Sequence, residues 1–248
     1  MTRIIARLDI KNGLVIKGIQ FDGQRRIGDP VSLALKYYLQ GVDELLFLDS
    51  VATLYGNSAL FEIISSACRS VFVPITMGGG IKSIDDVALA IKAGADKVAV
   101  NSALVKSPAL VSEISSRYGS QCLIGSIEGK KAGLSSWQVY INNGRDPTGM
   151  NVVDWAIELE QRGVGELLVT SVDVDGTQRG MDNDLISTVR SAVNIPVIAS
   201  GGVGRLEHIE SLYKKTYVEA IALASSLHYE KLTIFEVKSL IKKLNCAK

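Results

Sequence analysis

Two acidic side chains in this sequence are well placed for proton chemistry: Asp9 in Leu8-Asp9-Ile10-Lys11-Asn12-Gly13, and Glu128 in Ile127-Glu128-Gly129-Lys130-Lys131. Each closes a short apolar run. Two carboxylates on opposite sides of a bound molecule can divide the work of general acid and general base. The competing reading is plain ion pairing, Asp9 with Lys11 or Lys17 and Glu128 with Lys130. Two glycine-rich turns accompany them. Pro74-Ile75-Thr76-Met77-Gly78-Gly79-Gly80-Ile81 runs from an apolar strand into three glycines, then into the helical pattern Ser83-Ile84-Asp85-Asp86-Val87-Ala88. Pro196-Val197-Ile198-Ala199-Ser200-Gly201-Gly202-Val203 repeats the design. Such glycines let the backbone turn tightly and bring bare amide N–H groups against a ligand. With a helix amino terminus aimed the same way, the site suits an anion, most often a phosphate.

The repeat extends beyond the glycines. Gly41-Val42-Asp43-Glu44-Leu45-Leu46 matches Gly163-Val164-Gly165-Glu166-Leu167-Leu168, and Gly41/Gly163, Pro74/Pro196 and Gly80/Gly202 all stand 122 residues apart. Segments kept in step in this way indicate an internal duplication, with halves of approximately 1–120 and 121–248.

The elements that must position these residues follow from the hydrophobic pattern. Ile4 to Asp9 reads as a first strand, residues 10–18 as a small hairpin, and the polar stretch 20–30 as a long loop of the kind that covers binding sites. Helix 31–40 and strand 44–49 follow. The strand is almost wholly apolar, as expected of a parallel strand covered on both faces. The alternation continues with helix 58–70, strand 73–77, helix 83–93, strand 96–100, helix 107–118 and strand 122–128. After an inserted hairpin at 135–142, closed by Asn142-Asn143-Gly144, come helix 151–162, strand 166–171, helix 183–192, strand 196–200, helix 205–214, strand 218–223 and helix 233–244. Eight strands with intervening helices and no linker predict an α/β fold, a single (β/α)8 TIM barrel spanning 1–248. The length of 248 residues matches the roughly 250 typical of that fold.

Composition narrows the function classes. A net charge of +1 with interspersed signs offers no field for nucleic acid or an anionic membrane. The three cysteines, Cys68, Cys122 and Cys246, lack metal-ligand spacing and suggest reduced thiols. With no signal peptide or long apolar span, a cytoplasmic protein is expected. No cofactor or metal is required by any reading below.

In a barrel, chemistry sits at the carboxyl ends of the strands. Those ends hold Asp9, Asp49, Gly78–Gly80, Asn101-Ser102, Glu128, the run Ser171 to Thr177 with Asp175 and Gly176, Gly201-Gly202 and Ser225-Ser226. The duplication then predicts two phosphate cradles. One joins Gly79 and Gly80 with Asn101 and Ser102; the other joins Gly201 and Gly202 with Ser225 and Ser226. A substrate with a phosphate at each end is the economical inference, with Asp9 and Glu128 between. His208 reads as a surface residue and His228 as a neighbour of the second cradle. Trp137 and Trp155 read as packing residues, and Thr53 and Thr170 as possible pocket lining.

The motifs Ile5-Ala6-Arg7-Leu8-Asp9, Val15-Ile16-Lys17-Gly18, Gly28-Asp29-Pro30, Asp43-Glu44-Leu45-Leu46-Phe47-Leu48-Asp49, Gly78-Gly79-Gly80-Ile81, Ala95-Asp96-Lys97-Val98 and Asp173-Val174-Asp175-Gly176-Thr177 resemble the cyclase subunit of imidazole glycerol phosphate synthase, over essentially the whole chain. The resemblance implies conversion of a ribulosyl-formimino aminoimidazole carboxamide bisphosphate, with ammonia, into imidazole glycerol phosphate and aminoimidazole carboxamide ribotide. It implies ammonia from a glutaminase docked at the amino-terminal face, passing through the barrel core. Asp9 would be a general acid/base, Lys17 on the first loop would help to hold substrate, and the second catalytic carboxylate falls on Glu128. The charged ring through which ammonia enters falls on Arg3, Glu44, Lys97 and Glu166, and Asp96 on the partner interface.

Two positions depart from that pattern: the family has Asp at Glu128 and a small Cys at Arg7. A displacement of about 1 Å can cost on the order of 100-fold in rate where positioning drives catalysis, and a cation in the narrow core needs carboxylate partners. Three readings stay open: the cyclase/lyase itself, a divergent paralogue that channels ammonia from a glutaminase for surface-polysaccharide sugar amidation, and the histidine-pathway ribosyl isomerase. Lys17-Gly18 and the charged ring favour the cyclase over the isomerase.

Overall fold

Strand β1 (Arg3–Lys11) alternates its side chains between two fully occupied environments, so nearly every residue along it is buried. The computed structural model describes residues 2–50 and 58–246. Thr53 lies outside the described residues. The strands, numbered in chain order, are β1, β2 (Leu14–Ile19), β3 (Asp22–Gly28), β4 (Glu44–Asp49), β5 (Ile75–Gly78), β6 (Lys97–Val100), β7 (Leu123–Lys131), β8 (Trp137–Ile141), β9 (Asp146–Asn151), β10 (Glu166–Ser171), β11 (Val197–Ser200) and β12 (Ala220–Leu223). Parallel pairing runs β1-β4-β5-β6-β7-β10-β11-β12 and returns to β1, closing an eight-stranded barrel. Helices wrap it between strands, which is the expected (β/α)8 architecture. Local signals set their ends. Ser83 and Asp86 form a reciprocal capping box, and Gly94 stops that helix in the left-handed region. Asn151 caps the amide groups of Val153 and Asp154, and Gly163 ends that helix in the same way.

The barrel interior is layered. Ile5, Leu46, Ala99, Ile124, Leu168, Ile198, Ala220 and Ala222 form an apolar plug inside the strands, distinct from the larger core between strands and helices. Below the plug, at the amino ends, lie Arg3, Glu44, Lys97 and Glu166; above it lie Arg7, Thr170 and Ser200, then Asp9 and Glu128.

Several expected boundaries are corrected. β1 continues past Asp9 to Lys11 and pairs with β2. The polar stretch 20–30 is not an open loop, because Asp22–Gly28 pairs with β2 as a third strand. Its two-residue turn holds Gln20 at φ 52° and Phe21 at φ 65°, a geometry usually filled by Asn or Gly. Nothing in the local sequence announced it. The expected hairpin at 135–142 is a single strand, β8, in the middle of a ribbon β7-β8-β9. The helix expected at 107–118 is present as Ala109–Tyr118, and a short helix that the sequence pattern did not announce, Ser102–Lys106, precedes it, the two separated at Ser107-Pro108 where proline removes a donor. His208 is not on the surface: it is buried, and its Nδ1 accepts from the Gly204 N–H at 3.1 Å.

Candidate active site

Both ribbons fold back over the carboxyl ends of the barrel strands, and between them they divide the mouth. On one side lies a cavity of about 280 Å³, bordered by Asp9, Lys17, Asp49, Gly79, Gly80, Asn101, Ser102 and Glu128 among others. This brings together the first predicted cradle and both carboxylates. On the other side Asp175, Gly176, Gly201, Gly202 and Ser225 surround a space of only about 10 Å³, room for one water. Ser226 packs beside it, its Oγ enclosed and without a partner among the described residues. Arg7 borders both spaces.

The cradle glycines are required by geometry. Gly79 has φ +93°, and a Cβ there would fall 2.2 Å from the Asp49 carbonyl oxygen. Gly202 has φ +88°, and its Cβ would fall 1.9 Å from the Gly180 carbonyl oxygen. Each backbone must approach its neighbour more closely than any side chain allows.

Between the spaces runs a buried chain of alternating charge. Arg7 Nε donates to Asp9 Oδ1 at 2.7 Å, Lys17 Nζ donates to Asp9 Oδ2 at 2.9 Å, and Lys17 Nζ also donates to Asp175 Oδ2 at 2.8 Å. Arg7 Nη1 donates to Ser200 Oγ at 3.1 Å and Thr170 Oγ1 at 3.3 Å, so this one side chain spans from β1 to β10 and β11. The Phe21 ring covers the guanidinium at 5.6 Å. The ribbon tip is held by the Gln20 N–H on the Asp175 carbonyl (2.8 Å) and the Gln20 amide on the Asp173 carbonyl (2.6 Å). The ion-pair reading of Asp9 thus holds through Lys17. For Glu128 it fails: Lys130 lies over the Tyr140 ring, and Glu128 Oε2 instead accepts from the Gly144 N–H at 2.7 Å.

These surroundings push the two carboxyls apart. Burial would raise Asp9, but the Arg7 and Lys17 charges outweigh it and hold the group well below the usual carboxylate range. Burial lifts Glu128 to about 7, against the Gly144 amide and the Arg7 charge, which pull it down. Burial opposes charge on Arg7 and Lys17 too, yet their carboxylate partners raise both. His228 is pushed down to about 4, chiefly by burial, and stands 2.7 Å through Nδ1 from the Tyr37 hydroxyl. It packs as a neutral ring behind the second cradle. Trp137 and Trp155 are buried, as expected, and Trp137 Nε1 donates to Asp182 Oδ2 at 2.8 Å.

At the opposite end, Arg3 contacts both Glu44 and Glu166, and Lys97 Nζ reaches the same two carboxylates at 3.2 and 3.3 Å. The four residues close a neutral ring across the barrel. Asp96, exposed at the same end, accepts from the Ile75 N–H at 2.8 Å.

The mouth also draws on residues the sequence did not single out. Phe21, Ser126, Lys82, Lys106 and Asn143 border the large cavity. The Asn142 N–H donates to Ser102 Oγ at 3.1 Å, tying the second ribbon to the first cradle. The Asn142-Asn143-Gly144 turn was legible as a turn, but its reach to Ser102 and Glu128 was not. Among the described residues no three His, Cys, Asp or Glu side chains gather as a metal site, and no helix is long and apolar enough to cross a membrane.

Comparison with known proteins agrees with this architecture. The family model described as "Histidine biosynthesis protein" matches residues 3–233. A Legionella pneumophila protein named imidazole glycerol phosphate synthase subunit HisF is 52% identical over 205 residues, covering 83% of this chain and 97% of its own length. Proteins of the same name from Dehalococcoides mccartyi and Natranaerobius thermophilus are 45% and 44% identical, each covering 97% of this chain and 94% and 96% of their own.

Proposed function

Because the chain belongs to the histidine-biosynthesis barrel family, among its imidazole glycerol phosphate synthase HisF members, we propose that it is the ammonia-dependent cyclase/lyase of that synthase. In this reading it converts the ribulosyl-formimino aminoimidazole carboxamide bisphosphate into imidazole glycerol phosphate and aminoimidazole carboxamide ribotide. The observation that carries the reading is the stacking of one barrel. A closed four-charge ring lies at one end, an apolar plug in the middle, and at the other end a cavity holds a glycine cradle and two carboxylates with separated proton affinities.

Each part has a task. The amide groups at Gly79 and Gly80, with Asn101 and Ser102, hold one phosphate; Gly201, Gly202, Ser225 and Ser226 hold the other once the first ribbon lifts from the second cradle. Ammonia is neutral when it crosses the apolar plug, and the ring of Arg3, Glu44, Lys97 and Glu166 admits it from a glutaminase docked at the Asp96 face. Its exit follows the inner face of β6 from Lys97 past Ala99 to Asn101: Ala99 belongs to the plug and also borders the large cavity, as does Leu48 packed against the plug. The matching glycine turns and the two three-stranded ribbons, one following each half's first strand, support reading the chain as a single duplicated barrel.

A second reading is favoured by Arg7. Its ion pair with Asp9 and the nearly filled second cradle suit a paralogue that keeps the ammonia path but serves another acceptor. Turnover of the bisphosphate by the purified chain with excess ammonium salt at alkaline pH separates the two. Imidazole glycerol phosphate as product supports the cyclase. Binding without turnover, or neither, supports the paralogue.

A further inference from the structure

The duplication extends to the helix that follows each cradle. In the first half the helix Ile84–Ala93 opens on its capping box, where Asp86 Oδ2 accepts from the Lys82 N–H at 2.9 Å and the Ser83 N–H at 3.0 Å. The positions 122 residues on from Lys82, Ser83 and Asp86 are Gly204, Arg205 and His208. There the helix Leu206–Lys215 receives no side-chain bond from its cap residue Arg205, and the equivalent contact that remains runs from the Gly204 N–H to His208 Nδ1, at 3.1 Å. A carboxylate in one half is an imidazole in the other, bonded to the same backbone position. Helix starts leave N–H groups in need of such acceptors.

This contact fastens the second cradle from behind. The Gly202 carbonyl accepts from the Gly180 N–H at 2.9 Å, and a Cβ on Gly204 would fall 2.4 Å from the Gln178 carbonyl oxygen. The turn 201–204 is therefore pressed against residues 178–180, and His208, only 8% exposed, holds its last residue. Nδ1 accepts only while it carries no proton. An imidazolium would set a donor against the Gly204 N–H, at a helix amino terminus that disfavours cations, with Arg205 Nε 3.4 Å from Nε2. The charges acting on the ring are Arg205 and Glu207 of its own helix. On the facing segment Arg179 is exposed, Asp182 is occupied by Trp137 and the Leu185 N–H, and Asp184 by Lys215. On the helix Ile234–Cys246, Glu236 is bound to Thr233 and Lys238 to Asp43. Burial and Arg205 hold His208 below its ordinary 6.5, against Glu207 and the Gly202 backbone, which favour the charged form. The fastening is thus intact at neutral pH and is lost as pH falls through the lowered value.

We propose that His208 is a positioning residue for the second cradle: its neutral ring fastens the turn 201–204, and taking up a proton releases that turn while the first cradle stays set. This rests on reading the two glycine turns as phosphate cradles.

The test follows the His208 ring and the Gly204 amide by ¹⁵N NMR in the ligand-free full chain from pH 4.5 to 8, with His208→Asn assigning the ring. The expected result is a His208 midpoint below pH 6.5 and a Gly204 amide that shifts with the same midpoint. That shift should be absent from His208→Asn, whose Oδ1 accepts without titrating. A ring that stays neutral throughout, or a Gly204 amide indifferent to it, overturns the proposal. Calorimetric binding of the bisphosphate supplies the second arm. Between pH 8 and 5 the wild-type chain should lose about tenfold more affinity than His208→Asn. Titration of the ligand phosphates is common to both proteins and cancels in that ratio; equal losses overturn the proposal. Should His208→Asn fail to fold, His208→Asp, which restores the acceptor of the first half, takes its place. A bisphosphate that binds at no pH counts against the cradle reading, and the Gly204 amide then decides the fastening by itself.

Discussion

Arg7 and Asp9, two residues apart on one strand, face the same interior and meet at 2.7 Å from Nε to Oδ1. The pair sits where the ribbon-bearing Lys17, the second cradle and the barrel core converge. Replacing Arg7 by Met keeps the length but leaves Asp9 with Lys17 alone. The expected loss is about 3–5 kcal/mol in chemical denaturation, as for other broken buried pairs. Combining Arg7→Met with Asp9→Asn should cost less than the two separately by about 1 kcal/mol or more. Strict additivity would mean the pair is not coupled.

The raised proton affinity of Glu128 has a consequence for stability. Its folded value near 7 exceeds the ordinary 4.5, so its contribution is complete at low pH and is lost as pH rises from 4.5 through 7. The loss amounts to about 3 kcal/mol by pH 8. Glu128→Gln should abolish this component, leaving a chain that unfolds later than wild type at pH 8 and indistinguishably near pH 4. Thermal melts across that range measure it; a wild-type curve flat from pH 4 to 8 would contradict the assignment.

Lys97 shares both ring carboxylates with Arg3. Lys97→Ala leaves Glu44 and Glu166 facing each other with a single cation, disturbing passage more than chemistry at the far end. Glutamine-dependent turnover with a glutaminase should fall several-fold more than turnover with free ammonium. Equal loss in both assays would remove the ring from the ammonia path.

The two cradle glycines can be compared directly. Gly79→Ala would drive a Cβ against the Asp49 carbonyl in the open cavity, whereas Gly202→Ala would strike the Gly180 carbonyl beneath a cradle already nearly filled. Calorimetric binding of inorganic phosphate should weaken about tenfold or more, at least 1.4 kcal/mol, in Gly79→Ala. Gly202→Ala should lower the melting temperature with little effect on that binding.

The alternation of apolar strands with helices, the paired glycine turns and the matched segments around Glu44 and Glu166 were legible in the sequence, because each depends on residues close together in the chain. From these came the barrel, and with it the end at which Asp9, Glu128 and both cradles must lie. The third strand Asp22–Gly28 was hidden because its turn at Gln20-Phe21 takes left-handed backbone without the residues that usually mark it. His208 looked solvated because helical spacing alone does not reveal which turn packs inward. The need of Arg7 for a carboxylate could be read from charge and position; the choice of Asp9, Thr170 and Ser200 could not. That choice depends on the register of β1 against strands more than 160 residues away. The same holds for the unequal cavities and for the different proton affinities of Asp9 and Glu128. Desolvation and the distance to neighbouring charges set both, and these exist only once the barrel has closed and its ribbons have folded across the mouth.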